Sequence, residues 1–184
     1  MEKEITSNNP FDYALKAYAG GAVFVAFDLE TTGLEPRRDK IVEIGAVKFN
    51  RMGIIARFST LINPGIPMPE EAGRVNNISD EMLRGKPSLD EALPDFLSFI
   101  GKTVLAAHNA PFDCGFINAK LKTPLPNPIA DTLVFSREVF RGLPSYSLQN
   151  LAAALRIPVR DAHRAEDDAR LCMEILVRCL EKRI

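Results

Sequence analysis

Charge of one sign is in short supply in this chain of 184 residues: 23 basic and 24 acidic side chains leave a net charge of −1. Such a balance gives no global pull toward nucleic acid or a membrane surface, so an anionic ligand has to be held by local positive features. Cysteine is scarce as well. Cys114, Cys172 and Cys179 are odd in number and lack C-x-x-C spacing, which excludes Cys/His zinc sites and argues for reduced thiols rather than a disulfide framework. On a common helix Cys172 and Cys179 are two turns, roughly 10 Å, apart and cannot bridge. The opening "MEKEITSNNP" is not followed by a signal-peptide core, and no apolar run approaches membrane-spanning length. The expectation is a cytoplasmic protein with no membrane partner. A Gly-rich phosphate loop of the Walker kind is also missing, which removes that route to nucleotide-triphosphate hydrolysis. There is no internal repeat, no low-complexity tract and no linker long enough to set off a second domain.

What is present is an ordinary globular composition, 46% hydrophobic and 26% charged, in a chain long enough for one well-cored domain. Residues 1–22 read as an N-terminal extension with a short helix in "NPFDYALKAYAGG", and residues 23–184 as the main domain. Three strand-like runs follow, "AVFVAFDLE", "KIVEIGAVKFN" and "GIIARFSTLIN", the last two joined by a tight turn at Arg51-Met52-Gly53. They predict an antiparallel meander. Proline-rich "NPGIPMP" then leaves the sheet, "SDEMLRG" and "SLDEALPDFLSFIG" supply helices, and "TVLAA" and "IADT" read as short strands around a helix in "APFDCGFINAKL". Helices in "DTLVFSREVF", "SLQNLAAAL" and "HRAEDDARLCMEILVRCLEK" close the chain. Meander first, alternating strand and helix later: the sum is an α/β protein with a mixed five-stranded sheet flanked by helices.

Acids at the ends of these elements carry the functional signal. In "VFVAFDLETTGL", Asp28 and Glu30 share one face of a strand, roughly 6.6 Å apart along the chain, close enough to reach a common cation. Taken alone, the pair reads more readily as a strand end whose acids reach solvent. In "LAAHNAPFDCGF", Asn109 suits an N-cap, Pro111 the first helical turn, and Asp113 the opening turn beside a strand end, where an acid also favours the helix dipole. Phe112 and Phe116 are i, i+4 neighbours of the kind that fill cores, and His108 could be no more than a polar strand terminus. In "HRAEDDARLCMEIL", Asp168 continues the apolar stripe of Leu171, Cys172, Ile175, Leu176 and Cys179, whereas Glu166 and Asp167 fall on the solvated side. A carboxylate in line with a core face needs a partner. Glu43 interrupts a strand that otherwise looks buried, and either supports the acids of the first strand or is structural. Four carboxylates and a histidine make a ligand set for two hard, oxygen-loving cations, which suits in-line phosphoryl displacement with the histidine accepting a proton from the attacking water.

The stretches "FDLETTGL", "HNAPFD" and "HRAEDDA", in this order, resemble the three motifs of the DnaQ-like, or DEDDh, 3′→5′ exonucleases, a family that includes polymerase proofreading subunits. The resemblance runs from about Val23 to Leu180. It implies a ribonuclease H-like fold and two Mg²⁺ or Mn²⁺ ions held by Asp28, Glu30, Asp113 and Asp168, with His163 as general base. It further implies that Thr31, Leu34, Asn109 and Phe112 line the pocket for the 3′-terminal nucleotide. In "PEEAGRVNNIS", Asn76-Asn77 stands where many relatives carry His-Gly, and Asn76 is the residue left to hydrogen-bond the substrate there. The implied activity is metal-dependent release of nucleoside 5′-monophosphates from the 3′ end of DNA, in replication proofreading or repair. The implied partners are nucleic acid with a 3′ end, single-stranded DNA above all, and a DNA polymerase subunit.

Three rivals remain at this level. A haloacid-dehalogenase-like phosphatase opens with D-x-D-x-T, and Glu30 in place of the second aspartate argues against it. RNA-trimming exonucleases of the same family use the same catalytic residues. A non-catalytic interaction module on the same fold would not need all five catalytic positions filled.

Overall fold

The computed structural model describes residues 9–160 and 163–183. In chain order it contains α1 (Pro10–Ala19), β1 (Phe24–Thr31), β2 (Ile41–Asn50), β3 (Gly53–Leu61), α2 (Glu70–Asn76), α3 (Asp80–Leu83) and α4 (Leu89–Ile100). These are followed by β4 (Val104–Ala107), α5 (Ala110–Asn118), β5 (Ile129–Asp131), α6 (Thr132–Val139), α7 (Leu148–Ala154) and α8 (Ala165–Glu181). The strands form one sheet in the order β3-β2-β1-β4-β5, antiparallel through the meander and parallel from β1 to β4 and β5. This is the ribonuclease H-like arrangement.

Side-chain alternation along β1 sorts the core into two layers. Phe24 and Ala26 face the layer containing α1, α6, α7 and α8, while Val25, Phe27 and Leu29 face the layer containing α4 and α5. Asp28 and Glu30 continue the first row, so both look toward α8. The parallel ladder between β1 and β4 covers only Phe24 to Ala26. Beyond that point β1 keeps β2 on one side and has no strand on the other. The sheet therefore opens where the acids stand.

Local chemistry explains most of the flanking elements. Asn9 accepts the Phe11 N–H at 2.8 Å, Pro10 opens α1, and Phe11 meets Phe135 edge-on at 4.5 Å, so the N-terminal helix packs into the same core as the sheet. Ser88 and Glu91 form a capping box at the start of α4. The helix α2 has no counterpart among the helices expected from sequence. Its flanking prolines and central Gly73 obscure it, although Glu70 and Glu71 in its first turn and Arg74 in its last are favourable helix-end charges, and Glu70 pairs with Arg74.

One glycine governs how α8 sits. Gly45 lies opposite Asp28 in the β1–β2 pairing, and a Cβ added there would come within 2.0 Å of the Ala165 carbonyl carbon. Only a residue without a side chain lets the first turn of α8 settle onto the sheet beside β1.

Candidate active site

Three of the predicted acids meet. One ligand oxygen each from Asp28, Glu30 and Asp168 lie within 4.8 Å of one another, the one such group of metal-ligating side chains among the described residues. Asp113 approaches from the other layer. Its Oδ1 accepts the Leu29 N–H at 3.1 Å, a donor that the β4 ladder no longer reaches. That bond fastens α5 to the open edge of β1.

Gathering like charges at a buried site raises their proton affinity. Burial first, then the charges of Asp113, Asp168, Glu30 and Glu43, push the Asp28 carboxyl well above its usual range. Burial, reinforced by Asp168, Glu43 and Asp113, raises Glu30 to about 8. Asp113 is also raised by burial to about 8, against the lowering effect of the Leu29 N–H. Asp168 reaches only about 6, because hydrogen bonds from Gln149 and from the His163 backbone oppose its burial.

Around this group, further side chains hold the framework of the site, Glu43 among them as one of its two expected roles and Asp167 unexpectedly. Glu43, cross-strand from Glu30, is buried and receives Arg164 Nη2 at 2.7 Å and the Ala165 N–H at 3.2 Å. It ties the entrance of α8 to the sheet. Asp167 is not solvated as expected. It is buried and bonds Arg170 Nε at 2.6 Å and the Arg160 N–H at 2.9 Å, while Arg170 also reaches Glu174 and the Pro158 carbonyl. Glu166 is half exposed and pairs with Arg57 at 3.0 Å. The signal for this network was the i, i+3, i+7 spacing of Asp167, Arg170 and Glu174.

The two histidines have different surroundings. His163 is exposed at the mouth of the site, in the left-handed region at φ 61, two residues before α8. His108 is half-buried, with Nε2 at 2.9 Å from the Tyr146 carbonyl and Nδ1 at 2.9 Å from Thr132 Oγ1. A carbonyl only accepts, so Nε2 carries a proton and donates it to Tyr146. Burial lowers the His108 pKa, consistent with a neutral ring that joins β4, α6 and the segment before α7.

Next to the acids is a cleft of about 420 Å³ whose walls include Leu29, Glu30, Leu34, Val75 and Phe112. Leu34 is 78% exposed at its rim. Phe112 stacks at a tilt on Phe116, 5.0 Å between centroids, and so borders both the core and the cleft. Thr31 Oγ1 donates to the Gly33 carbonyl at 2.6 Å, shaping the turn after β1. Asn76, expected to meet the substrate, also lines this cleft, although the residue is only 2% exposed. Its Nδ2 donates to the Thr31 carbonyl at 3.3 Å and its Oδ1 accepts the Ile78 N–H at 3.2 Å, so the amide fastens α2 against the end of β1. Val75, one residue earlier and exposed, supplies the apolar wall that the sequence reading missed. Asn109 is exposed and left-handed at φ 65, which turns its side chain away from capping α5. Asp131 caps instead, accepting the N–H groups of Asn109 and Ala110 at 3.2 and 3.1 Å as well as that of Leu133 at 2.9 Å.

The donor chemistry of the acidic group fits hard divalent cations: carboxylate oxygens only, buried and crowded so that a positive charge among them is favourable. Residues 25–176 match the model of the RNase_T exonuclease family. The chain belongs to this family. It is accordingly a 3′→5′ exonuclease. It is 52% identical over 158 residues to DNA polymerase III subunit epsilon of Treponema pallidum (strain Nichols), covering 83% of this chain and 74% of that one. It is 43% identical over 157 residues to DNA polymerase III PolC-type of Clostridium perfringens (strain 13 / Type A), covering 83% of this chain but only 11% of that protein. Among solved structures, Exonuclease X in complex with 5′ overhanging duplex DNA superposes with a TM-score of 0.72 at 26% identity, over 86% of this chain and 91% of that one. Exonuclease I, at 21% identity and a TM-score of 0.73 over 87% of this chain and 42% of that one, shares the fold. No helix among the described residues is long and apolar enough to cross a membrane.

Proposed function

We propose that this exonuclease removes nucleotides singly from an unpaired 3′ end of DNA, using two Mg²⁺ or Mn²⁺ ions held by Asp28, Glu30, Asp113 and Asp168. The observation that carries the reading is the convergence of Asp28, Glu30 and Asp168 within 4.8 Å beside an apolar cleft large enough for a nucleotide. Bound cations supply Lewis acidity there, stabilising charge on the attacking and leaving oxygens. Asp28, Glu30, Asp113 and Asp168 would hold the cations against the scissile phosphate, and Leu34, Phe112 and Val75 enclose the terminal base, with Asn109 and Thr31 at the margin. An imidazole nitrogen of His163 takes the proton from the attacking water. The water oxygen bonds to phosphorus, the bond from phosphorus to the upstream 3′-oxygen breaks, and a nucleoside 5′-monophosphate leaves. A strand end must be single to enter a cleft between a strand terminus and a short helix, so paired termini have to fray first, at a cost on the order of one base-step stacking energy. The relatives named as polymerase III proteins support a role beside a DNA polymerase in the cytoplasm, as a proofreading activity.

The test uses 5′-labelled single-stranded DNA and RNA of equal length. DNA should give a descending ladder faster than RNA, abolished by chelator and restored by Mg²⁺ or Mn²⁺. Hydrolysis undiminished after rigorous chelation contradicts the reading, and faster trimming of RNA transfers it to the other nucleic acid.

A further inference from the structure

Among the described residues, Asp168 is the one acid of the tight group with a hydrogen bond from a side chain on a separate element. Gln149 Nε2, on α7, donates to Asp168 Oδ1 at 2.8 Å. The donor is itself firmly placed. Leu151 and Ala152 bury α7 in the same core layer as α8, and Gln149 lies at the border of that apolar stripe, half-buried. Just before the helix, the Tyr146 carbonyl is held by His108 at 2.9 Å, and the Tyr146 hydroxyl donates to the Phe140 carbonyl at 2.7 Å. The backbone leading to Gln149 is thus pinned at two points, one of them the end of β4.

We infer that Gln149 is a positioning residue that fixes the rotamer of Asp168, engaging Oδ1 so that the carboxylate is aimed at the oxygens of Asp28 and Glu30. The inference rests on the proposed metal-binding role of Asp168. Three crowded carboxylates repel, and without a restraint Asp168 would relieve that repulsion by rotating toward solvent. An amide is suited to the task because it donates a hydrogen bond without adding another negative charge. A glutamate in its place would add one, and an asparagine is one methylene shorter. Outer partners of ligating carboxylates commonly tune metal affinity by roughly 10- to 100-fold.

Calorimetric titration of the metal-free protein with Mn²⁺, in the absence of any nucleic acid, tests this without recourse to turnover. Gln149→Leu keeps the bulk and removes the donor. It should weaken Mn²⁺ binding by roughly 10- to 100-fold, with little change in the melting temperature of the metal-free protein. Asn150→Ala serves as the control for disturbance of α7, since that side chain bonds Ser145 Oγ at 2.8 Å and not the acids. It should bind Mn²⁺ as the wild type does. Equal Mn²⁺ affinity in Gln149→Leu and wild type overturns the inference while leaving the metal reading intact. So does an equal loss in Asn150→Ala and Gln149→Leu, which would assign the effect to helix packing. A wild type that binds no Mn²⁺ overturns the metal reading and the inference together.

Discussion

The two helices that bring acids to β1 are held by different means. On one face, α8 is set by shape: its first turn rests on the bare backbone of Gly45, and Glu43 clamps Arg164 and the Ala165 N–H at its entrance. On the other face, α5 is set by hydrogen bonds at its end, with Asp131 capping it and Asp113 joined to Leu29. The first arm is a steric fit over a long apolar interface. The second is a local attachment of a nine-residue helix. A fit fails as a unit when it is overfilled, while an attachment loosens one element and leaves the other in place.

Overfilling the fit should have the largest effect. Gly45→Ala puts a methyl into backbone already 2.0 Å away, so the start of α8 must lift, carrying Asp168 and His163 with it. The expected cost is about 3 kcal/mol, at the upper end for overpacking, together with loss of exonuclease activity. Thermal unfolding alongside the labelled-DNA assay checks this, and a Gly45→Ala protein as stable and active as wild type would remove the distinction between the arms. Asp131→Ala should do less. It removes a cap shared by α5 and α6, at a cost of roughly 1–2 kcal/mol. The Asp28, Glu30 and Asp168 group should remain in place, so Mn²⁺ binding should persist while turnover falls. Complete loss of Mn²⁺ binding in folded Asp131→Ala would mean that the arms are not independent.

Much of this arrangement was legible in the sequence, for reasons that also explain the failures. The strands announce themselves by apolar runs ending in acids, and Asp168 by its place on the α8 stripe, because a 3.6-residue period is a local property. The fold class follows from those local signals, and the resemblance of the three motifs implied that Asp28, Glu30 and Asp168 share one site. What eluded them depends on partners distant in sequence or on backbone choice. Asn109 has the composition of an N-cap, yet asparagine also tolerates the left-handed region, and the cap comes from Asp131, 22 residues on. Asn76 is polar in a loop-like stretch, and only the fold shows its amide facing inward. Gln149 is an unremarkable helical residue until α7 is laid against α8. Asp167 was the avoidable miss, since its partner Arg170 is three residues away on the same helix.

That the clustered acids are kept for cations is tested most directly by thermal unfolding across pH, with and without Mn²⁺. With Glu30 and Asp113 raised to about 8 and Asp168 to about 6, the folded protein binds more protons than the unfolded chain from about pH 4 upward. Stability without metal should therefore be greatest below about pH 4 and fall as pH rises from there to about 8, where the last of these groups ionises in the folded state. Mn²⁺ binds the ionised carboxylates of the folded state, so it should raise the melting temperature most at the alkaline end and reverse the slope. A pH profile that falls without metal and rises with it is the predicted result; identical profiles with and without Mn²⁺ would contradict the account.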